Sequence, residues 1–138
     1  AGLIDFQGAM MGPAPYDLVN LLEDARREVP LDLRKECLAR YTSQLDRDDK
    51  ESFLAWYPIL SAQFHCRVIG QALRLAIRDG KTRLLSIIPV LRHHLISDLS
   101  HPVLSDVKVW FDQHGVDFTQ EIPLNPDDIA RYIRHDAF

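Results

Sequence analysis

Apolar residues recur at helical spacing along a stretch near the middle of the chain. At about 100° per residue, one face of a helix over residues 61–78 carries an apolar set that includes one histidine: Ala62, His65, Ile69, Leu73, Ala76 and Ile77, widened by Phe64, Val68 and Leu75. The opposite face is polar: Gln63, Arg67, Gln71, Arg74 and Arg78. This pattern predicts a mostly buried, central helix whose polar stripe faces either water or a cleft.

After an opening strand and loop, almost all of the chain has a helical pattern. Helical spacing predicts further elements at residues 16–27, 31–45, 52–78, 82–99 and 102–114. Pro58 and Pro89 should kink or split the helices that contain them, and Gly80 is a stop signal. Residues 46–51 are predicted as a charged, solvated turn. Asn125 and Pro126 are typical of a cap and first position of a short helix near the end.

Composition excludes several classes of function. The 138 residues are 46% apolar, enough for one core, and the net charge of −4 gives no basic field for nucleic acid. No apolar run approaches the roughly 18 residues of a membrane span. Cys37 and Cys66 are interpreted as free thiols in a reducing compartment, which favours the cytoplasm. We expect one helical domain over residues 1–138, in which residues 116–138 form a C-terminal extension.

The chain opens with a single acid inside a short apolar segment, LIDFQGAMMGPAPYD. A carboxylate in a buried strand costs several kcal/mol unless something pairs with it. At the end of a strand, such as Asp5 here, it can pair with a metal ion. Mg²⁺ suits this position, because it takes carboxylate oxygens and bridges substrate phosphates.

The stretch LIDFQGAMMGPAPYDLVNLL resembles the aminoglycoside phosphotransferase family of kinase-like enzymes. Three elements carry the resemblance: Ile4-Asp5-Phe6, Gly12-Pro13 and Tyr16-Asp17-Leu18. Together with QFHCRVIGQALRLAIRDGKTRLL, the stretch is most similar within that family to anomeric kinases of bacterial amino sugars. The resemblance covers residues 1–100 and implies the mainly α-helical C-terminal lobe of a protein-kinase-like fold, with a short β segment at its start.

The resemblance also implies roles for particular residues. Asp5 would bind the Mg²⁺ of ATP or GTP, and Asp17 would cap its helix and anchor the catalytic loop through backbone N–H groups. The phosphate-covering loop and the Lys–Glu pair of the small lobe have no counterpart in the chain. No catalytic residue is predicted within it either, and the general base is expected upstream of Ala1.

We therefore expect a segment of a longer enzyme that is inactive by itself. In the family fold, the opening strand pairs with a strand that comes before it in the chain. Residues 2–7, without that neighbouring strand, would then pair with a second copy or pack as coil.

Five residues are candidates for binding the sugar: Gln7, Asp24, Gln63, His65 and Arg67. Each also has a simpler interpretation. Gln7 could anchor its own loop, Asp24 could lie on a solvated helix face, and His65 could be a hydrogen-bonded core histidine. Gln63 and Arg67 could face solvent. The alternative to an enzyme is a non-catalytic helical module, derived from a kinase lobe, that binds a protein partner.

Overall fold

Helices make up most of the described chain. The computed structural model describes residues 9–27, 29–121 and 125–130. Its α-helices are α1 (Pro15–Leu22), α2 (Leu31–Thr42), α3 (Arg47–Asp79), α4 (Ile88–Leu99), α5 (Ser105–Gln113) and α6 (Pro126–Ala130). Short 3₁₀ helices, Thr82–Ile87 and Pro102–Leu104, lead into α4 and α5. The mainly α-helical class is confirmed for these residues, whereas the predicted opening strand lies outside them.

The central helix has the two faces that the spacing predicts. α3 packs against α1, α4 and the 3₁₀ helix Thr82–Ile87. Its buried residues include Ala62, His65, Ile69 and Ala76, while Gln63 and Arg67 on the polar stripe are exposed. Val19 of α1 and Leu91 and Leu95 of α4 complete the centre of the core, each with no exposed surface. Among the described residues, no helix is both long and apolar enough to cross a membrane.

α3 begins earlier than predicted. The segment 46–51, expected as a charged turn, supplies its first residues. The Asp46 carboxylate accepts a hydrogen bond of 2.9 Å from the backbone N–H of Asp49, which caps the helix. Asp48 and Asp49 add negative charge at the positive end of the helix dipole. The acidic residues of this segment therefore stabilise the start of a helix, where a turn was predicted.

α3 also continues through Pro58, where a kink or a split was predicted. The helix runs unbroken for 33 residues with Pro58 inside it. An internal proline costs about 3 kcal/mol, and each large buried apolar side chain contributes about 1.5–3 kcal/mol. Phe53 and Phe64, both buried, lie on either side of Pro58. Burial on both sides thus outweighs the missing hydrogen bond.

α1 ends earlier than predicted, at Leu22. The backbone N–H of Arg26 donates to the Asp24 carboxylate at 3.0 Å, and the N–H of Arg27 donates to the Asp24 carbonyl at 3.0 Å. These hydrogen bonds stabilise a non-helical turn after Leu22, so the helix does not continue. Asp24, predicted within the helix, instead lies in a turn after it.

Other helix ends follow the sequence signals. Gly80 has φ of 64° at the end of α3, a left-handed conformation that glycine adopts at low cost. The predicted helix over 82–99 is split beside Pro89: a 3₁₀ helix ends at Ile87 and α4 begins at Ile88, so Pro89 lies in its first turn, where its missing N–H is tolerated. The Asn125 side chain accepts a hydrogen bond of 3.0 Å from the N–H of Asp127 at the start of α6. These three predictions are confirmed.

Candidate functional site

Four polar side chains meet inside the apolar core, and we call them the buried polar ring: Glu23, Ser61, His65 and Asp98. The Ser61 hydroxyl lies 2.7 Å from Glu23 Oε2 and 2.8 Å from Asp98 Oδ2. His65 Nδ1 lies 2.7 Å from the same Asp98 oxygen, and its Nε2 lies 3.4 Å from Glu23 Oε2. Ser61 and His65 have no exposed surface.

Three elements bring the ring together. Ser61 and His65 are four residues apart, so they lie on the same face of α3. Asp98 is in the last turn of α4. Glu23 is the residue at which α1 ends, and its N–H still donates to the Val19 carbonyl at 2.9 Å. The ring therefore ties α1 and α4 to the central helix.

Both oxygens of the Glu23 carboxylate accept hydrogen bonds. The Tyr57 hydroxyl donates to Oε1 at 2.9 Å, and the Ser61 hydroxyl lies close to Oε2. Burial, followed by the charge of Glu23, raises the pKa of Tyr57 above its ordinary value, so the phenol keeps its proton. Tyr57 is thus a permanent donor that holds one side of Glu23.

Ser61 touches two carboxyl groups with only one hydroxyl proton. Two ionised carboxylates at 2.7 and 2.8 Å would compete for that proton. Burial raises the pKa of Asp98, which favours a proton on this group. If Asp98 carries a proton, it can donate to Ser61, and Ser61 can then donate to Glu23. One added proton therefore satisfies both short contacts.

The ring is a poor metal site as it stands. One donor atom from each of Glu23, His65 and Asp98 lies within 4.8 Å of the other two. However, the 2.7 Å between His65 Nδ1 and Asp98 Oδ2 is a hydrogen-bond length, shorter than the separation of two ligands on one ion. Ser61 also bridges the two carboxyl groups. The four side chains satisfy one another by hydrogen bonding and leave His65 Nε2 as the buried atom without a full partner.

A cavity of about 380 Å³ lies beside α1 and α3. Its polar walls come from Asn20, Asp24, Arg67 and Gln71, and apolar residues such as Phe64 and Leu84 line the rest. A larger cavity of about 730 Å³ lies next to the turn after α1, and both Glu23 and Asp24 line it. Asp24 thus lines both cavities, next to a member of the buried polar ring.

The Asp24 carboxylate is already paired with a neighbour. Arg26 donates to both oxygens at 2.8–3.1 Å, and this guanidinium lowers the pKa of Asp24. Asp24 is therefore ionised at neutral pH. The Arg26 side chain is largely exposed, so its charge is screened by water and its end is not fixed by packing.

The predicted sugar-binding residues fall in different places. Asp24 and Arg67 line the same cavity, whereas Gln63 is exposed on α3 and is not part of its wall. His65 is the hydrogen-bonded core histidine of the simpler interpretation, and direct sugar contact by this residue stays a prediction.

The remaining predicted site residues come from the start of the chain. Asp5, the predicted metal ligand, and Gln7, a sugar-binding candidate, lie outside the described residues, which begin at residue 9. Ala1, upstream of which the general base is expected, lies outside them as well. The roles of these residues, and the position of the base, therefore stay predictions.

Asp17 lies in the first turn of α1 and does not cap it. The helix begins at Pro15, with Ala14 before it, and has no side-chain cap. The predicted capping role is therefore wrong, because Asp17 is the third residue of the helix and not the residue before its start. The exposed Asp17 side chain adds favourable charge to the first turn. Its predicted anchoring of a catalytic loop concerns residues outside the described chain.

Sequence reasoning missed three members of the ring. Ser61 precedes the apolar face of α3 by one residue, and Asp98 and Glu23 lie at the ends of two other helices. The separations of 33 to 38 residues between hydrogen-bonded partners leave no local signal. The one available signal was His65, a titratable residue in the middle of an apolar face.

We expect His94 to make the free energy of unfolding depend on pH. Burial, followed by the charge of Arg34, lowers its pKa from 6.5 to about 4, and the neutral ring lies 3.4 Å from the Arg34 guanidinium. Smaller effects come from His65, Glu23 and His93. Between pH 6.5 and 4 the unfolded chain binds a proton that the folded chain does not, so we expect stability to fall as pH falls through this window.

The variant His94→Gln tests this dependence. Urea unfolding at several pH values between 6.5 and 4.5 should show a smaller loss of stability on acidification than in the wild type. Ile96→Ala, a change on the same helix that involves no titratable group, should show the same dependence of the free energy of unfolding on pH as the wild type. If the free energy of unfolding depends on pH equally in His94→Gln and the wild type, the proposed neutral state of His94 is contradicted.

Asp98 should have the opposite effect on stability. Its raised pKa favours proton uptake on folding, which stabilises the folded chain as pH falls.

No protein-family model matches the chain. It is similar to bacterial proteins that are each named N-acetylmuramate/N-acetylglucosamine kinase. The one from Caulobacter vibrioides is 39% identical over 113 residues, which cover 82% of this chain and 31% of that protein. The one from Neisseria meningitidis is 33% identical over 100 residues, which cover 68% and 30%. The one from Pseudomonas aeruginosa is 34% identical over 94 residues, which cover 64% and 28%.

These similarities support a relationship to sugar kinases. The matched stretch includes most of this chain, but the chain spans only about 30% of the length of the curated relatives it matches. The predicted similarity to kinases of bacterial amino sugars is thereby confirmed at the level of related proteins.

Proposed function

We propose that the chain is part of an ATP-dependent phosphotransferase that acts on a hydroxyl of an amino sugar. The observation that carries this proposal is the 39% identity to a protein named N-acetylmuramate/N-acetylglucosamine kinase, over 82% of the chain. The kinase-like fold of the aminoglycoside phosphotransferase family, and ATP rather than GTP as phosphate donor, belong to the same proposal.

The cavity of about 380 Å³ beside α1 and α3 is our candidate for the acceptor site. Its volume falls in the range of small-molecule sites, which combine apolar walls with a few polar groups. The ionised Asp24 can accept hydrogen bonds from sugar hydroxyls, and Arg67 and Gln71 can donate to ring or carbonyl oxygens. The apolar residues suit the methyl group of an N-acetyl substituent.

Asp5 is our candidate ligand for Mg²⁺. A carboxylate is the donor that this ion prefers, and Gln7, two residues later, offers a further oxygen or a hydrogen bond to a phosphate. When bound, the ion would supply charge neutralisation at the nucleotide phosphates. Asp17, in the exposed first turn of α1, is proposed to hold the neighbouring catalytic loop. The helical residues from Tyr16 onward would bind and orient the acceptor.

Activity tests the proposal in the longer protein that carries this chain. A coupled assay would offer ATP or GTP, Mg²⁺ and a panel that includes N-acetylmuramate, N-acetylglucosamine and glucose. We expect phosphorylation of an N-acetylated sugar in preference to glucose. If no sugar in the panel is phosphorylated and the protein instead binds another protein stably, the non-catalytic helical module becomes the better interpretation.

Asp24→Asn tests the acceptor site. Loss of the charge should raise KM for the amino sugar about ten-fold, because hydrogen bonds to a charged acceptor contribute more than neutral ones. KM for the nucleotide should stay unchanged. Asp106→Asn, an equivalent change at an exposed residue of α5, is the matched control. An unchanged sugar KM in Asp24→Asn would remove this carboxylate from the acceptor site.

A further inference from the structure

We propose that Ser61, Asp98 and His65 are positioning residues that fix the Glu23 carboxylate and, through the Glu23–Asp24 backbone, the wall of the acceptor cavity. This inference rests on the proposed function, because it assumes that the cavity lined by Asp24 takes the amino sugar. These three residues do not themselves line that cavity, so they would act through Glu23 rather than by contact with the sugar.

Glu23 is the point at which the chain leaves α1, and its side chain anchors that point. Tyr57 and Ser61 of α3 hold its two carboxylate oxygens at 2.9 and 2.7 Å. The backbone N–H of Glu23 closes the last turn of α1. Because both the backbone and the side chain of Glu23 are held, the orientation of the peptide bond between Glu23 and Asp24 is fixed.

The other restraints on Asp24 lie within its own turn, where the N–H groups of Arg26 and Arg27 donate to its carboxylate and its carbonyl at 3.0 Å. Its carboxylate is held by Arg26, whose side chain is 78% exposed. An exposed ion pair contributes little to the rigidity of a turn. The buried anchor one residue earlier ties this turn to α3, so we expect it to set how Asp24 enters the cavity.

Asp98 and His65 determine whether the Ser61 hydroxyl donates to Glu23 or to Asp98. His65 Nδ1 fixes Asp98 at 2.7 Å, and Asp98 in turn lies 2.8 Å from the Ser61 oxygen. If Asp98 donates a proton to Ser61, the Ser61 hydroxyl has only Glu23 left as acceptor. The order His65, Asp98, Ser61, Glu23 thus ends at the residue that precedes Asp24 of the cavity wall.

An amide at position 98 can reproduce this order. In Asp98→Asn, an NH₂ group in the place of Oδ2 has two hydrogens, one to donate to Ser61 as the protonated acid does and one to donate to an unprotonated His65 Nδ1. In Asp98→Ala, both contacts are lost. The comparison of these two variants therefore separates the hydrogen-bond order from the charge of Asp98.

Kinetics of the longer protein with the amino sugar that it phosphorylates best provide the test. We expect Ser61→Ala and Asp98→Ala to raise KM for the sugar about five-fold, the equivalent of one lost hydrogen bond. The value of kcat and KM for ATP should change less than two-fold. Asp98→Asn should restore KM for the sugar to near the wild-type value.

Leu95→Val is the control for general loss of stability, because it truncates a fully buried residue of α4 outside the ring. It should lower Tm and leave KM for the sugar unchanged. If Ser61→Ala and Asp98→Ala keep the wild-type KM, or if Asp98→Asn behaves like Asp98→Ala, the positioning role is overturned while the proposed function stands. A wild-type protein that phosphorylates no amino sugar would overturn both.

Discussion

Replacing Asp5 by Ala in the longer protein should lower kcat about a thousand-fold or more. The proposed Mg²⁺ site would lose its carboxylate ligand, and metal stabilisation of transition-state charge is worth several kcal/mol. Phosphoryl transfer depends mainly on positioning and electrostatics, so little else could compensate. The measurement is steady-state phosphorylation of the amino sugar across a range of Mg²⁺ concentrations.

Asp106→Ala is the control for this experiment, since it removes a carboxylate from the exposed start of α5. It should retain wild-type kcat. Thermal unfolding of both variants would show whether the fold is intact. Near-normal kcat for Asp5→Ala at saturating Mg²⁺ would exclude Asp5 from the metal site, whatever the acceptor proves to be.

Leu95→Ala should reduce the free energy of unfolding by about 3 kcal/mol, in the middle of the range for buried leucines. Leu95 has no exposed surface and lies on α4, the helix that packs most extensively on α3. Truncation would leave a cavity between these helices that close packing cannot fill. Urea unfolding measures the change.

Ile96→Ala is the matched control, because Ile96 follows Leu95 on the same helix but is 38% exposed. It also removes a branched aliphatic side chain, so helix propensity changes little relative to Leu95→Ala. We expect it to cost less than half as much. Equal costs for the two variants would mean that the packing of α4 on α3 is not as described.

Local signals in the sequence were sufficient for much of the fold. The buried face of α3 follows from spacing alone, and Gly80 ends the helix because its backbone conformation suits glycine. Prediction was wrong where two local signals competed. At Pro58 burial on either side outweighed the proline, and at Asp24 a side-chain hydrogen bond ended α1 early.

Only part of the candidate site could be predicted from the sequence. Asp24 and Arg67 were both proposed, and they do share a cavity. The buried polar ring was not proposed, because Glu23, Ser61 and Asp98 come from three elements that only the tertiary fold brings together. Distant polar contacts of this kind carry no periodicity, so a single sequence cannot reveal them.

The buried polar ring also restricts how this protein can change over evolutionary time. Loss of any one member leaves a buried partner unsatisfied, which typically costs about 1–3 kcal/mol, or more for a charged group. Simultaneous replacement of all four by apolar residues of similar size would avoid that cost, but it requires several substitutions at once. Single mutations therefore lead through less stable intermediates. We expect Glu23, Ser61, His65 and Asp98 to be retained or lost together in related sequences.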